Sequence, residues 1–166
     1  LRRMELGAGD QLVLLDSSWH GDFFPVVERL KAQGLGVLSV IYDLVPLTHP
    51  QFCDSNLVEA FDKWLDWILR TADGYLAISK TISDQLQAEI EHRLGKEAAR
   101  RCWHDHFRLG SDLDLAHLTT TIDPRISQVF TDDAPVYLVV STIEPRKNHA
   151  YVLDAFDILW SRGGAA

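Results

Sequence analysis

The sequence predicts a parallel α/β fold, a sheet with helices on both faces, and three observations carry that expectation. Short, continuous apolar runs recur at Leu12–Leu15, Val37–Tyr42, Tyr75–Ile78 and Val136–Val140, and unbroken apolar runs with β-branched members suit strands covered on both sides. Each run is followed by apolar residues at helical spacing, and strand–helix alternation is the signature of a parallel sheet. The 166 residues, 46% apolar and 24% charged, suffice for an ordinary domain with a true core.

The elements follow in order. Leu12–Leu15 is the first expected strand. Its helix spans 22–33, with Pro25 in the first turn, Phe23, Val26, Val27 and Leu30 on one face, and Gly34 and Gly36 as terminators. Val37–Tyr42 is the second strand, and residues 43–53, with Pro46 and Pro50, read as a loop. Asn56 with Glu59 three residues on is the expected cap of a helix whose stripe is Leu57, Phe61, Trp64, Leu65 and Ile68. Gly74 precedes the third strand, Tyr75–Ile78, and Thr81 with Asp84 is expected to open a helix marked by Ile82, Leu86, Ile90 and Leu94. From Ser111 to Pro135 periodicity fades among Thr119, Thr120, Thr121, Pro124, Asp132 and Asp133, so a linker is expected, with boundaries at 119–135.

In open parallel sheets ligands bind beyond the carboxyl ends of the strands. That rule places candidate site residues at Asp16–Gly21, Tyr42–Pro46, Ser79 and Ser141–His149. The last stretch carries the most chemistry. After Val136–Val140 the chain turns through Ser141–Lys147, and Val152, Leu153, Phe156, Leu159 and Trp160 mark a helix beginning at Asn148, a good N-cap residue. An anion there would meet free N–H groups, the positive end of the helix dipole, and Arg146 and Lys147. Two charge-assisted hydrogen bonds at about 1.5 to 3 kcal/mol each, with about 0.3 to 1 from the dipole, give roughly 3 to 7 kcal/mol gross before association costs. That suits a diphosphate belonging to a larger ligand better than a lone phosphate. The plainer alternative is a solvated cation pair near a helix start.

The net charge of −8 argues against a dedicated nucleic-acid binder, which needs the opposite sign. Two cysteines, Cys53 and Cys102, make neither a disulfide framework nor a metal spacing and fit a reducing cytosol. No apolar run reaches the roughly 18 residues of a spanning helix and no apolar leader is visible, so a cytoplasmic protein is expected.

The string STIEPRKNH at Ser141–His149, followed by a helix containing Ala155-Phe156, resembles the opening of the C-terminal domain in family-four glycosyltransferases of the GT-B fold. GDQLVLLDSSW at Gly9–Trp19, VLSVIYDLVPLTHP at Val37–Pro50, ADGYLAIS at Ala72–Ser79 and FRLGSDLD at Phe107–Asp114 resemble the same family in the same order. Ser141 stands where the family usually has Gly, and Tyr42 where it usually has His. The resemblance implies a Rossmann-like, partial GT-B architecture. Residues 1–118 would be the later part of the acceptor-binding N-terminal domain, and 136–166 the first strand and helix of the nucleotide-sugar-binding domain. It implies transfer of a sugar from a nucleotide-diphosphate donor to a hydroxyl, with retention and without a metal or other cofactor, in polysaccharide or lipopolysaccharide synthesis. Arg146, Lys147 and Asn148, with Ser141, would hold the donor diphosphate. Asp43 would act beside the reacting sugar, and Trp19, His20, Gly21, Tyr42 and Ser79 would line the acceptor cleft. The implied partners are the donor and a saccharide or lipid-linked saccharide acceptor, and the isolated chain is expected to be inactive. A non-catalytic α/β binding module is the alternative.

Other groupings are weaker. Cys102, His104 and His106 alternate on a short extended segment, more often a structural pattern than a metal site. Arg93, Lys96, Arg100 and Arg101 fall roughly on one helical face and could meet anionic lipid at the inner membrane face, or serve as a solvated helix end. Neither a G-x-S-x-G elbow nor the two glycine-rich phosphate loops occur. Asp43 also has a plain reading, as the Asp that commonly ends a strand before a turn.

Overall fold

The computed structural model describes residues 6–15, 18–110, 123–131 and 135–163. The chain divides into two compact units, Leu1–Gly110 and Ser111–Ala166.

The first unit is a parallel α/β sheet, as expected. Its strands are β1 (Gln11–Leu14), β2 (Gly36–Ile41), β3 (Gly74–Ala77) and β4 (Trp103–His106), hydrogen-bonded in the order β1-β2-β3-β4. All pairings are parallel, with Gln11 opposite Gly36, Ser39 opposite Tyr75 and Tyr75 opposite His104. The connections carry α1 (Phe24–Ala32), then α2 (Val45–Thr48) and α3 (Ser55–Thr71), then α4 (Lys80–Leu94) and α5 (Lys96–Arg101).

Because side chains alternate along a strand, Val37, Ser39 and Ile41 share a face with Tyr75 and Ala77. On that face Val37, Ile41 and Tyr75 pack against Val27 of α1, Phe61, Trp64, Leu65 and Ile68 of α3, and Leu86 and Ile90 of α4. The centre of this core is α3, the helix with the clearest apolar stripe in the sequence. The buried Tyr75 hydroxyl donates to the Ile68 carbonyl at 3.1 Å, and its surroundings raise the phenol well above its ordinary pKa, chiefly through burial.

At the amino edge Asp73 joins three elements. It pairs with Lys31 of α1 and accepts from the Val37 amide at 2.8 Å. Partial burial pulls the carboxyl upward, but the Lys31 and Val37 hydrogen bonds and the Lys31 charge outweigh it, leaving the group below its ordinary value.

Several local expectations are corrected. Asn56 does not cap α3; Asp54 does, its Oδ1 accepting from the Asn56 amide at 2.8 Å. The cap of α4 is Ser79 rather than Thr81. The segment 43–53, expected as a plain loop, contains α2 and a 3-10 turn at Pro50–Phe52, each with a proline in its first turn. The basic stripe is not one helical face, since Gly95 at φ +87° separates α4 from α5. Most of that charge is also paired: Arg93 with Asp62 and Glu89, Lys96 with Glu91, Arg101 with Glu97.

In the second unit α6 (Pro124–Val129) is capped by Asp123, and α7 (His149–Ser161) follows a 3-10 turn at Pro145–Lys147. Val136–Val140, expected as a strand, forms no sheet ladder among the described residues. A strand is held by a neighbour's hydrogen bonds, and none is paired with it here. Tyr137 still packs on α7, its ring 4.7 Å from that of Phe156. Of the expected linker, residues 119–122 and 132–134 lie outside the described residues, and Asp123 and Pro124 belong to α6 and its cap.

Candidate functional site

Parallel strands bring the segments that follow them to one edge of the sheet. The turn Ser18–His20 and Gly21 after β1, Tyr42 and Asp43 after β2, and Ser79 after β3 therefore lie along the carboxyl edge. Asp16 and Ser17, and the His20 side chain, lie outside the described residues.

Several of these residues are held by a local cause. Ser18 Oγ accepts from the Trp64 indole N–H at 2.8 Å, tying the turn to α3. Trp19 meets Phe61 and Trp64 edge-on, at ring separations of 5.3 and 5.6 Å, so much of its ring serves the aromatic core. A Cβ on Gly21 would stand 2.5 Å from the Phe23 ring, so a larger residue would displace that ring. Tyr42 and Asp43 are exposed. Asp43 Oδ1 accepts from the Val45 amide at 2.9 Å, the turn-forming use of Asp at a strand end. Ser79 Oγ accepts from the Ile82 amide at 3.3 Å, which gives it a structural task as a cap. An open cleft of about 510 Å³ lies beside this edge, between the first turns of α1 and α3, and includes Trp19 and Gly21 in its lining.

The anion-binding candidates lie in the second unit. Asn148 stands at the N-cap of α7, but in the left-handed region at φ 55°, and its side chain makes no capping hydrogen bond. The expected capping role is corrected: the 3-10 turn before it already aims the chain, and Lys147 N donates to the Glu144 carbonyl. Arg146 Nη2 lies 2.8 Å from Glu144 Oε1, which also accepts from Thr142 Oγ1 at 2.6 Å. The Thr142 hydrogen bond first, and then Arg146, hold the Glu144 carboxyl below its ordinary value. Ser141 Oγ and His149 Nε2 lie 2.9 Å apart across the same loop. Arg146, Lys147, Ser141 and His149 thus share one short loop at the start of α7, with a carboxylate occupying one cation. The pair is exposed to solvent and therefore weak.

Sequence reading missed Glu144 as a partner, although it lies two residues before Arg146. It also missed the Ser83–His104 contact, at 3.1 Å between Oγ and Nδ1, which joins α4 to β4. No group of three His, Cys, Asp or Glu positioned to hold a metal occurs among the described residues. Among them, too, no helix is long and apolar enough to cross a membrane.

Comparison with known proteins bears on the resemblance seen in the sequence. Curated relatives named serotype-specific mannosyltransferase WbdA, from Escherichia coli, are 30% identical over 161 residues. The chain is homologous to a segment of a glycosyltransferase. The match covers 93% of the chain but only 19 to 20% of each mannosyltransferase, so the chain spans about a fifth of the relatives it matches. No family model matches, and no solved structure matches. The glycosyltransferase homology runs through nearly the whole chain.

Proposed function

We propose that the chain serves glycosyl transfer, from a nucleotide-diphosphate sugar to a saccharide or lipid-linked saccharide hydroxyl, in polysaccharide or lipopolysaccharide assembly at the cytoplasmic side of a membrane. The homology to mannosyltransferases over 93% of the chain carries this reading and suggests a mannosyl donor. In it the chain supplies the later part of a GT-B N-terminal domain, and Val136–Ser161 the opening strand and helix of the donor-binding domain.

Breaking the bond between the anomeric carbon and the diphosphate leaves charge on the leaving oxygens. Arg146 and Lys147 meet that charge, which is electrostatic stabilisation of the leaving group. Ser141 and the first amides of α7 add hydrogen bonds. On a retaining, metal-free route these cations do the work that a divalent ion does elsewhere. Asp43 stands beside the reacting sugar or orients the acceptor. For the isolated chain we expect binding without turnover.

The alternative, a non-catalytic α/β module, is supported by the Glu144–Arg146 pair, which gives that cation a task of its own. Titration with guanosine diphosphate separates the two. Arg146→Ala combined with Lys147→Ala lowers affinity at least about tenfold if the pair grips the diphosphate, since each charge-assisted bond is worth about 1.5 to 3 kcal/mol. Unchanged affinity supports the module.

A further inference from the structure

Among the described residues the chain holds two Ser–His contacts, and they differ in where they lie. Ser83, 6% exposed, meets His104 inside the first unit, where the contact joins α4 to β4. Ser141 Oγ and His149 Nε2, 2.9 Å apart, stand on the loop that carries Arg146 and Lys147. There Ser141 is exposed and His149 half-buried, so the ring is the anchored partner and the hydroxyl the one a ligand can reach. A hydrogen bond open to water adds little to stability, and the loop is already shaped by others. Lys147 N and Asn148 N donate to the Glu144 and Pro145 carbonyls, and Thr142 and Arg146 hold the Glu144 carboxylate.

The direction of the Ser141–His149 bond decides what the loop offers an anion. A hydroxyl has one hydrogen and two lone pairs, and an imidazole nitrogen donates or accepts according to where the ring proton sits. If Ser141 donates to an unprotonated Nε2, its only hydrogen is spent, and the lone pairs left to the ligand repel an anion. If Nε2–H donates to Ser141 Oγ, the hydroxyl hydrogen is free to turn to a phosphate oxygen, and a charge-assisted bond results. The backbone favours the contact: Asn148, at φ 55°, bends the chain so that the first residue of α7 returns to Ser141, eight residues before it.

We infer that His149 is a positioning residue of the diphosphate loop: its Nε2–H holds the Ser141 oxygen so that the Ser141 hydroxyl donates to a diphosphate oxygen. The inference rests on the reading of Arg146 and Lys147 as a diphosphate site, and adds to it a residue that acts on the ligand only through Ser141.

Guanosine diphosphate titrated into the full chain and its variants tests it. Ser141→Ala should weaken binding about tenfold, the loss of one charge-assisted bond, and His149→Ala about fivefold, since an unheld hydroxyl still donates part of the time. The two together should be no weaker than Ser141→Ala alone, because His149 acts through Ser141. His149→Gln, which keeps an N–H donor there, should stay within about twofold of the unaltered chain. Long-range proton–nitrogen NMR spectra of the ring should show the proton on Nε2 in the complex; a loop clasp in which Ser141 donates leaves Nε2 unprotonated. Multiplying losses in the double variant, an unaffected His149→Ala, a His149→Gln as weak as His149→Ala, or an unprotonated Nε2 in the complex overturns the inference. In each of those cases the diphosphate reading stands if Arg146→Ala with Lys147→Ala still weakens binding. If that pair does not weaken it, or if the unaltered chain binds no guanosine diphosphate, both fall.

Discussion

Residues 6–110 and 123–163 carry the same sequence grammar, an apolar run followed by an amphipathic helix, and reach different ends. In the first unit Val37 and Ile41 are 1% exposed. In the second, Leu138 is 76% exposed and Val140 82%, and none of its described residues is buried. The difference is not hydrophobicity, since Val136–Val140 is as apolar as Val37–Ile41. It is the presence of neighbours: β2 is hydrogen-bonded on both sides by β1 and β3 and covered by α3, while Val136–Val140 is in no ladder and meets α7 through the Tyr137–Phe156 contact. An apolar run specifies a strand only together with the strands beside it.

The largest effect expected from this contrast lies in the core. Leu65→Ala, at a fully buried site on α3, should cost about 2 to 5 kcal/mol in denaturant unfolding. Leu138→Ala should stay within about 0.5 kcal/mol; a comparable loss would mean that the second unit has a core of its own. The cap of α3 comes next. Asp54→Ala should cost about 1 kcal/mol, while Asn56→Ala should not disturb the cap. The smallest effect belongs to Asp73. Its folded pKa is depressed, so its stabilisation is complete above the unfolded carboxyl value near about 3.9 and is lost as pH falls through the folded value. The side chain is more than half exposed, so solvent screening keeps the contribution below about 1 kcal/mol. Asp73→Asn should flatten the acid limb of the stability curve by that amount.

Legibility in the sequence followed the same division. β1 to β3, α1, α3 and α4 were readable because each repeats an apolar period of its own. β4 was not, since Trp-His-Asp-His has no apolar alternation, and its place is set by pairing with β3. Both helix caps were displaced by two residues. Asp54-Ser55-Asn56 and Ser79-Lys80-Thr81 each offer alternative capping side chains, and only the backbone at the helix start selects one. Arg146 and Lys147 were visible as cations by residue type, and their position at the start of α7 followed from helical spacing. That Glu144 turns back onto Arg146 depends on the 3-10 turn between them, which leaves no periodic signal.

We propose that Arg146 and Lys147 form a diphosphate site in which Glu144 holds the place of the ligand. Guanosine diphosphate affinity of Glu144→Gln beside the unaltered chain tests it most directly. Removing the competing carboxylate frees Arg146 and lifts a repulsion, so affinity should rise by up to about fivefold. Unchanged or weaker affinity in Glu144→Gln would contradict the claim and leave the Glu144–Arg146 pair as a structural clasp of the loop.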